Sequence, residues 1–229
     1  MSDSSTPDVS GTELPVPVHP RIEAYLAGLA ADTATPVLVD MESLATQLNF
    51  PIVGRLCGNF FKILARGIGA RRVFEFGSGF GYSAYWFAEA VGPEGRVVCS
   101  DADPENAVRA EHFLRRAGLW ERVEFRVGWA QDVFQATSGE FDICYNDVDK
   151  GDYPAIWRMA RERIRPGGLY IADNVLWGGR VAVEQPVDPV PGWTEAIREH
   201  NRLIFTDPEY EAFVNPTRDG VIVARRRDA

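Results

Sequence analysis

Apolar positions recur with two different periods along the chain, and the change between them divides it. From Pro20, the residues Ile22, Tyr25, Leu26 and Leu29 fall at helical spacing, behind a proline at the expected helix start. Two more helices are expected over residues 37–48 and 54–68, the second with Leu56, Phe60, Phe61, Ile63 and Leu64 on its apolar side. After residue 70, short apolar runs alternate with amphipathic stretches. Strands are predicted over 71–76, 96–100, 123–127, 141–145 and 169–172, and helices over 82–91, 104–117, 131–135 and 153–164. Alternation of this length implies an α/β fold, a mainly parallel sheet with helices on both faces. A loop rich in Gly, Pro and Val over 177–191 breaks the pattern and leads to a helix over 193–204. Two last strands, 210–214 and 220–224, flank a turn at Pro216, Thr217, Arg218 and Asp219. Such a hairpin would put one antiparallel strand into the sheet.

The composition narrows this to a soluble protein. With 229 residues, 45% apolar and 25% charged, the chain fits one domain with a real core, expected over residues 19–229. Residues 1–18 are rich in Ser, Thr, Pro and Asp and are expected to form a flexible or loosely docked tail. No apolar run is long enough for a membrane span, and the polar, acidic start does not match a secretory signal. Cys57, Cys99 and Cys144 form no CxxC pair and sit in apolar runs, as small buried hydrophobes of a reducing cytoplasm would. The formal charge of −9 argues against a nucleic-acid partner, and Arg225, Arg226 and Arg227 are expected to be a solvated end. The three histidines, His19, His112 and His200, are scattered and suggest no shared site.

Candidate chemistry gathers at the ends of the expected strands. Glu75-Phe76-Gly77-Ser78-Gly79-Phe80-Gly81 closes the first of them. In open α/β sheets ligands bind beyond the carboxyl ends of the strands, where the strand order reverses. Glycines there let the backbone come close to a cofactor. Asp101 ends the second strand, where a carboxylate accepts hydrogen bonds from both hydroxyls of a ribose. These features alone leave an NAD(P)-dependent oxidoreductase open. Two details favour S-adenosylmethionine. The glycines run G-x-G-x-G rather than G-x-G-x-x-G, and Glu75 stands two residues before the first of them. A carboxylate suits an ammonium and a sulfonium and repels a pyrophosphate.

Asp147, Asp173 and Asn174 follow two further strand-like runs and offer two carboxylates and an amide oxygen. An all-oxygen set selects Mg²⁺ first, with Ca²⁺ or Mn²⁺ as alternatives, over zinc. Three protein ligands leave room for a chelating substrate such as a catechol, whose two oxygens are adjacent. Lys150 is placed to remove the hydroxyl proton. Trp177 and Trp193 flank the following loop, either as an aromatic wall for a planar acceptor or as packing residues.

At these residues the chain resembles the cation-dependent O-methyltransferases of the catechol and caffeoyl-CoA type. The matching runs are Val73 to Ser83 through the glycines, Phe141-Asp142-Ile143, Asp147-Val148-Asp149-Lys150 with Tyr153, and Arg165-Pro166-Gly167-Gly168-Leu169 leading into Ala172-Asp173-Asn174-Val175-Leu176-Trp177. The likeness extends from about Phe50 to the end of the chain. It implies a Rossmann-like, seven-stranded sheet with the last strand antiparallel, and a homodimer. It also implies cofactor contacts at Glu75, Gly77, Ser78, Ser83, Asp101 and Ala130, with Asp149 nearby. Val53 stands where members often carry threonine, so only its backbone would serve. Asp147, Asp173 and Asn174 match the metal ligands, and Lys150 the catalytic lysine, which works beside Asp147. Gly178 replaces an asparagine that binds substrate in the plant enzymes, and no basic cluster for a CoA phosphate is visible over 186–191. The expected acceptor is therefore a small catechol-like or vicinal-diol aromatic. A hydroxylated tRNA nucleoside, used by some relatives, is the alternative.

Overall fold

A computed structural model of the chain describes residues 14–31 and 34–228. Seven strands form one sheet: β1 (Arg72–Phe76), β2 (Arg96–Asp101), β3 (Val123–Val127), β4 (Phe141–Asn146), β5 (Ile164–Ala172), β6 (Tyr210–Asn215) and β7 (Val221–Arg226). Their order is β3-β2-β1-β4-β5-β7-β6. The first five are parallel, and β7 runs antiparallel to both β5 and β6. The expected antiparallel strand is thus β7. The chain winds outward from β1 through β2 to β3 and then restarts on the other side at β4, so the order reverses between β1 and β4.

Eight α-helices accompany the sheet among the described residues: α1 (Pro20–Leu29), α2 (Pro36–Leu48), α3 (Gly54–Gly67), α4 (Tyr82–Val91), α5 (Pro104–Arg116), α6 (Ala130–Ala136), α7 (Tyr153–Ala160) and α8 (Trp193–Phe205). Alternate strand residues point to opposite faces, and the core divides accordingly. Val73, Ile143, Tyr145, Leu169 and Ile171 pack with Phe61 of α3, Phe87 of α4 and Leu114 of α5. Phe74, Phe76, Cys144, Tyr170 and Ala172 pack with Phe134 of α6, Trp157 of α7 and Ile197 of α8. Each face buries enough large apolar area to hold the strand ends rigidly, at about 1.5–3 kcal/mol for each fully buried large side chain.

Local sequence sets where several helices begin. Thr35 Oγ1 accepts from the Leu38 N–H, with Pro36 as the first helical residue of α2. Asp103 caps α5 in the same way, ahead of Pro104. One boundary departs from expectation. The helix over 153–164 stops at Ala160, and Ile164 already pairs with Phe141 in β5. Pro166 disfavours helical backbone at Arg165. The Arg163 guanidinium takes up carbonyls of Phe134, Thr137 and Gly139. The register then shifts before Ile143 meets Leu169, so β5 begins earlier than 169 and carries a bulge.

Of the expected tail, residues 1–13 lie outside the described residues. Pro15 is held against Gly179, whose Cβ would stand 2.1 Å from the Pro15 carbonyl oxygen. The three cysteines are free and buried, as expected, and His112 is exposed. The terminal arginines are tied down more than expected. Arg225, Arg226 and Arg227 pair with Asp228, Glu209 and Glu211. No helix among the described residues is long and apolar enough to cross a membrane.

Candidate active site

A cavity of about 570 Å³ opens at the carboxyl ends of β1, β2 and β4, over the point where the strand order reverses. Its floor is the turn after β1. Gly77 N–H and Ser78 N–H both donate to the Ser100 carbonyl of β2, at 3.1 and 2.8 Å, which fixes the loop flat against the neighbouring strand. Gly77 (φ +77°) and Gly79 (φ +50°) are left-handed, and added side chains would collide. A Cβ on Gly77 would lie 2.6 Å from the Asp147 carbonyl oxygen, and one on Gly79 2.8 Å from the Phe50 ring. Glycine is therefore required here, and it keeps the cavity open.

The expected cofactor residues gather around this space. Val53, Gly77, Ser78, Ser83, Asp101, Ala130 and Asp149 all line it. Val53 does so from the N-cap position of α3 and Ala130 from the first turn of α6. Asp101 is held in place by three donors: Gly79 N–H at 2.9 Å, Asp103 N–H at 2.9 Å and the Asn106 amide at 3.1 Å. Glu75 differs from the rest. It is fully buried behind the wall, where its carboxylate accepts from the Ser83 hydroxyl and the Cys99 thiol. Burial pushes its pKa up to about 7. Its influence on the cavity therefore passes through Ser83.

Lys150 organises the other end. The chain leaves β4 with Asp147 N–H bonded to the Phe76 carbonyl and leaves β5 with Asp173 N–H bonded to the Asn146 carbonyl. Two neighbouring strand ends are thereby set side by side. Lys150 Nζ donates to Asp147 Oδ1 at 3.1 Å, Asn174 Oδ1 at 2.9 Å, the Val148 carbonyl at 3.3 Å and the Tyr153 hydroxyl at 2.8 Å. The Tyr153 hydroxyl in turn donates to the Asp173 carbonyl at 2.9 Å. Asn174 is left-handed (φ +57°), a conformation Asn tolerates, and its N–H donates to Asp173 Oδ1. Burial, and then the nearby Asp147, push the Asp173 carboxyl upward, opposed first by Arg218. A buried carboxylate raised this way is short of positive charge.

One carboxylate and an amide oxygen meet at the lysine ammonium, and the buried Asp173 carboxyl stands on the neighbouring strand end beside them. This donor set fits a hard divalent ion, since all its ligating atoms are oxygens and a positive charge already sits among them. Among the described residues no cluster of three His, Cys, Asp or Glu is arranged for a metal, so Asn174 would have to complete the set. The cavity, with its glycine floor and the Asp101 carboxylate, likewise fits a nucleoside cofactor.

Trp177 and Trp193 both stand in the cavity wall, with ring centroids 5.6 Å apart. Sequence reasoning gave no role to Arg218, a further wall residue, or to Tyr153 and His200 buried behind the wall. Arg218 was taken only as part of a turn. Its Nη2 donates to the Ile52 carbonyl at 2.9 Å, and its buried Nη1 has no hydrogen-bond partner among the described residues. Its backbone is left-handed (φ +56°), in the turn between β6 and β7. Tyr153 lay within a matched run but was given no task. His200 is buried and, through burial, held neutral with its pKa near 4; it bonds Tyr170, which bonds Asn146 at the end of β4.

A parallel sheet with this switch point and a glycine-floored cavity defines the Rossmann-like nucleotide-cofactor enzymes. A family model described as O-methyltransferase matches residues 31–227. A catechol O-methyltransferase from Niastella koreensis is 32% identical over 203 residues, 86% of this chain and 90% of that one. A caffeoyl-CoA O-methyltransferase from Eucalyptus globulus is 30% identical over 178 residues, covering 74% and 72%. The crystal structure of the O-methyltransferase from Bacillus cereus in complex with S-adenosylhomocysteine superposes with a TM-score of 0.80 at 30% identity, over 90% of this chain and 97% of that one. The chain belongs to the O-methyltransferase family and, like its catechol and caffeoyl-CoA relatives, is an S-adenosylmethionine-dependent enzyme.

Proposed function

We propose that this enzyme methylates one hydroxyl of a small catechol-like or vicinal-diol aromatic and that a divalent cation, Mg²⁺ first, is required. The observation that carries this is the convergence of Asp147 Oδ1 and Asn174 Oδ1 on a single cationic nitrogen beside buried Asp173. Asp147, Asp173 and Asn174 would hold the ion. When bound, the ion supplies Lewis-acid polarisation of a hydroxyl oxygen. S-adenosylmethionine supplies the methyl group.

The chain's own residues do the rest. Asp101 orients the ribose, and the glycine floor together with Ser78 and Ser83 admits the amino-acid end. Lys150, as its neutral amine, takes the acceptor's hydroxyl proton while the methyl group leaves the cofactor's sulfur for the oxygen, the S–C bond breaking as the C–O bond forms, and Tyr153 holds that nitrogen in register. Trp177 and Trp193, tilted at 55° to each other, form an apolar side against which an aromatic ring packs. Three free, buried cysteines agree with a reducing cytoplasm. The outward-facing Ile22, Tyr25 and Leu29 of α1 agree with a homodimer that covers them.

Calorimetric titration of catechol into enzyme saturated with S-adenosylhomocysteine tests the proposal. Catechol heat that appears with Mg²⁺ and vanishes with EDTA is the expected result. Equal binding in both would remove the cation from acceptor recognition.

A further inference from the structure

Among the described residues the Trp129 side chain makes no hydrogen bond, ring pair or cation contact. Its side chain is 69% exposed, an unusual place for an indole. Among the described residues its one hydrogen bond is made by its backbone carbonyl, which accepts from Val133 N–H at 3.0 Å. Its ring pairs, among the described residues, with neither an aromatic ring nor a cation, although tryptophans 86, 120, 157, 177 and 193 each do one or the other.

Its position is nevertheless closely fixed. Asp101 lies opposite Val127 in the parallel β2–β3 register, and Gly128 N–H donates to the Asp101 carbonyl at 2.9 Å. Trp129 follows directly and α6 begins at Ala130. The indole thus stands two residues beyond the partner of Asp101, in the cavity wall with Ala102, Gly128 and Ala130. The glycine turn and Asp147 occupy the opposite side of Asp101, towards β1 and β4.

We propose that the Trp129 indole is the stacking surface for the adenine base of the cofactor. The inference rests on S-adenosylmethionine being that cofactor. A ribose held at Asp101 has two ends. Its amino-acid end must run towards the glycine turn and the Lys150 cluster, where transfer takes place. Its base is then directed towards the end of β3, where the free indole stands. A purine covering that indole removes apolar surface of both rings from water and adds π-stacking. Nothing in this contact reads the base edges. Trp129 therefore contributes affinity for the adenosine half as a whole and none to acceptor choice.

The test compares Trp129→Ala and Trp129→Phe with the wild type by calorimetry, using S-adenosylhomocysteine and 5′-methylthioadenosine, which keeps the adenosine but lacks the amino-acid end. Stacking of a base on an aromatic side chain predicts that Trp129→Ala weakens both ligands by the same factor, about tenfold, while Trp129→Phe stays within about threefold. Titration of 5′-methylthioadenosine should quench tryptophan emission in the wild type, and the Phe variant should lose most of that change. Since the side chain is exposed, the thermal midpoint should not move. Affinities within about twofold of wild type for both ligands would overturn the inference. So would a variant that loses S-adenosylhomocysteine but keeps 5′-methylthioadenosine. A wild type that binds neither ligand would overturn the cofactor assignment itself.

Discussion

The Nζ of Lys150 lies 2.9 Å from Oδ1 of Asn174, a residue on the next strand end, and 3.1 Å from Oδ1 of Asp147. A single side chain thus joins the expected base of the reaction to two of the expected metal ligands. Replacing it separates chemistry from binding. Lys150→Ala should lower turnover by roughly 10²–10⁴, the usual worth of a positioned proton acceptor. Affinity for S-adenosylhomocysteine should stay within about tenfold, ~1.4 kcal/mol, since the lysine's hydrogen bonds run to Asp147, Val148, Tyr153 and Asn174 and none to Asp101. Steady-state kinetics beside calorimetry checks both; a collapse of cofactor binding would mean the lysine's task is misassigned.

Asp101 predicts the reverse pattern. Gly79, Asp103 and Asn106 already orient its carboxylate, which leaves it preorganised for two hydroxyls. Hydrogen bonds to a charged group contribute about 1.5–3 kcal/mol, so Asp101→Ala should weaken S-adenosylhomocysteine roughly 10- to 100-fold. Binding of Mn²⁺, followed by paramagnetic resonance, should be unchanged. A loss of metal binding in this variant would contradict the division of the cavity into two ends.

Glu75 gives a pH signature. Its pKa rises from an ordinary 4.5 to about 7 because burial disfavours the charged form. Stability from this group is fully present below about pH 4.5 and is lost as pH rises through about 7, on the order of 3 kcal/mol in all. Glu75→Gln cannot ionise. Without cofactor, the variant's thermal midpoint relative to wild type should therefore be more favourable at pH 8 than at pH 5, by roughly 6 °C or more for a chain of this size. A difference independent of pH would show that Glu75 is already ionised at pH 5.

Gly77→Ala tests the floor. The new methyl group would stand 2.6 Å from the Asp147 carbonyl, on backbone with φ +77°. Left-handed backbone alone costs about 1–2 kcal/mol for a residue with a Cβ, and the collision adds to it. Differential scanning calorimetry should show a midpoint lowered by at least about 4 °C, together with weakened cofactor binding. An unchanged midpoint would mean that the turn is looser than its hydrogen bonds imply.

Much of this architecture was legible in the sequence because each element carries its own local signal. α4 and β3 match the expected bounds because glycines and an apolar run delimit each one. β5 was foreshortened because its first residues form a bulge around Pro166 and two glycines, where apolar alternation is lost. At the site, the residues singled out for distinctive chemistry (Asp101, Asp147, Lys150, Asp173 and Asn174) all line one cavity. Glu75 was expected to contact the cofactor; its carboxylate is fully buried and accepts from the Ser83 hydroxyl that lines the cavity. Arg218 and Trp129 escaped because turn residues carry no periodicity, and only the register of neighbouring strands brings them into the wall. That kind of placement is a property of the sheet as a whole.

The most direct test of the account is methyl transfer from radiolabelled S-adenosylmethionine to catechol, measured on protein stripped with EDTA and again after adding Mg²⁺. Negligible transfer in the stripped enzyme, restored by the ion and absent in Asp173→Ala under both conditions, is the predicted result. Transfer at the same rate in the stripped enzyme would contradict a metal-dependent site at Asp147, Asp173 and Asn174.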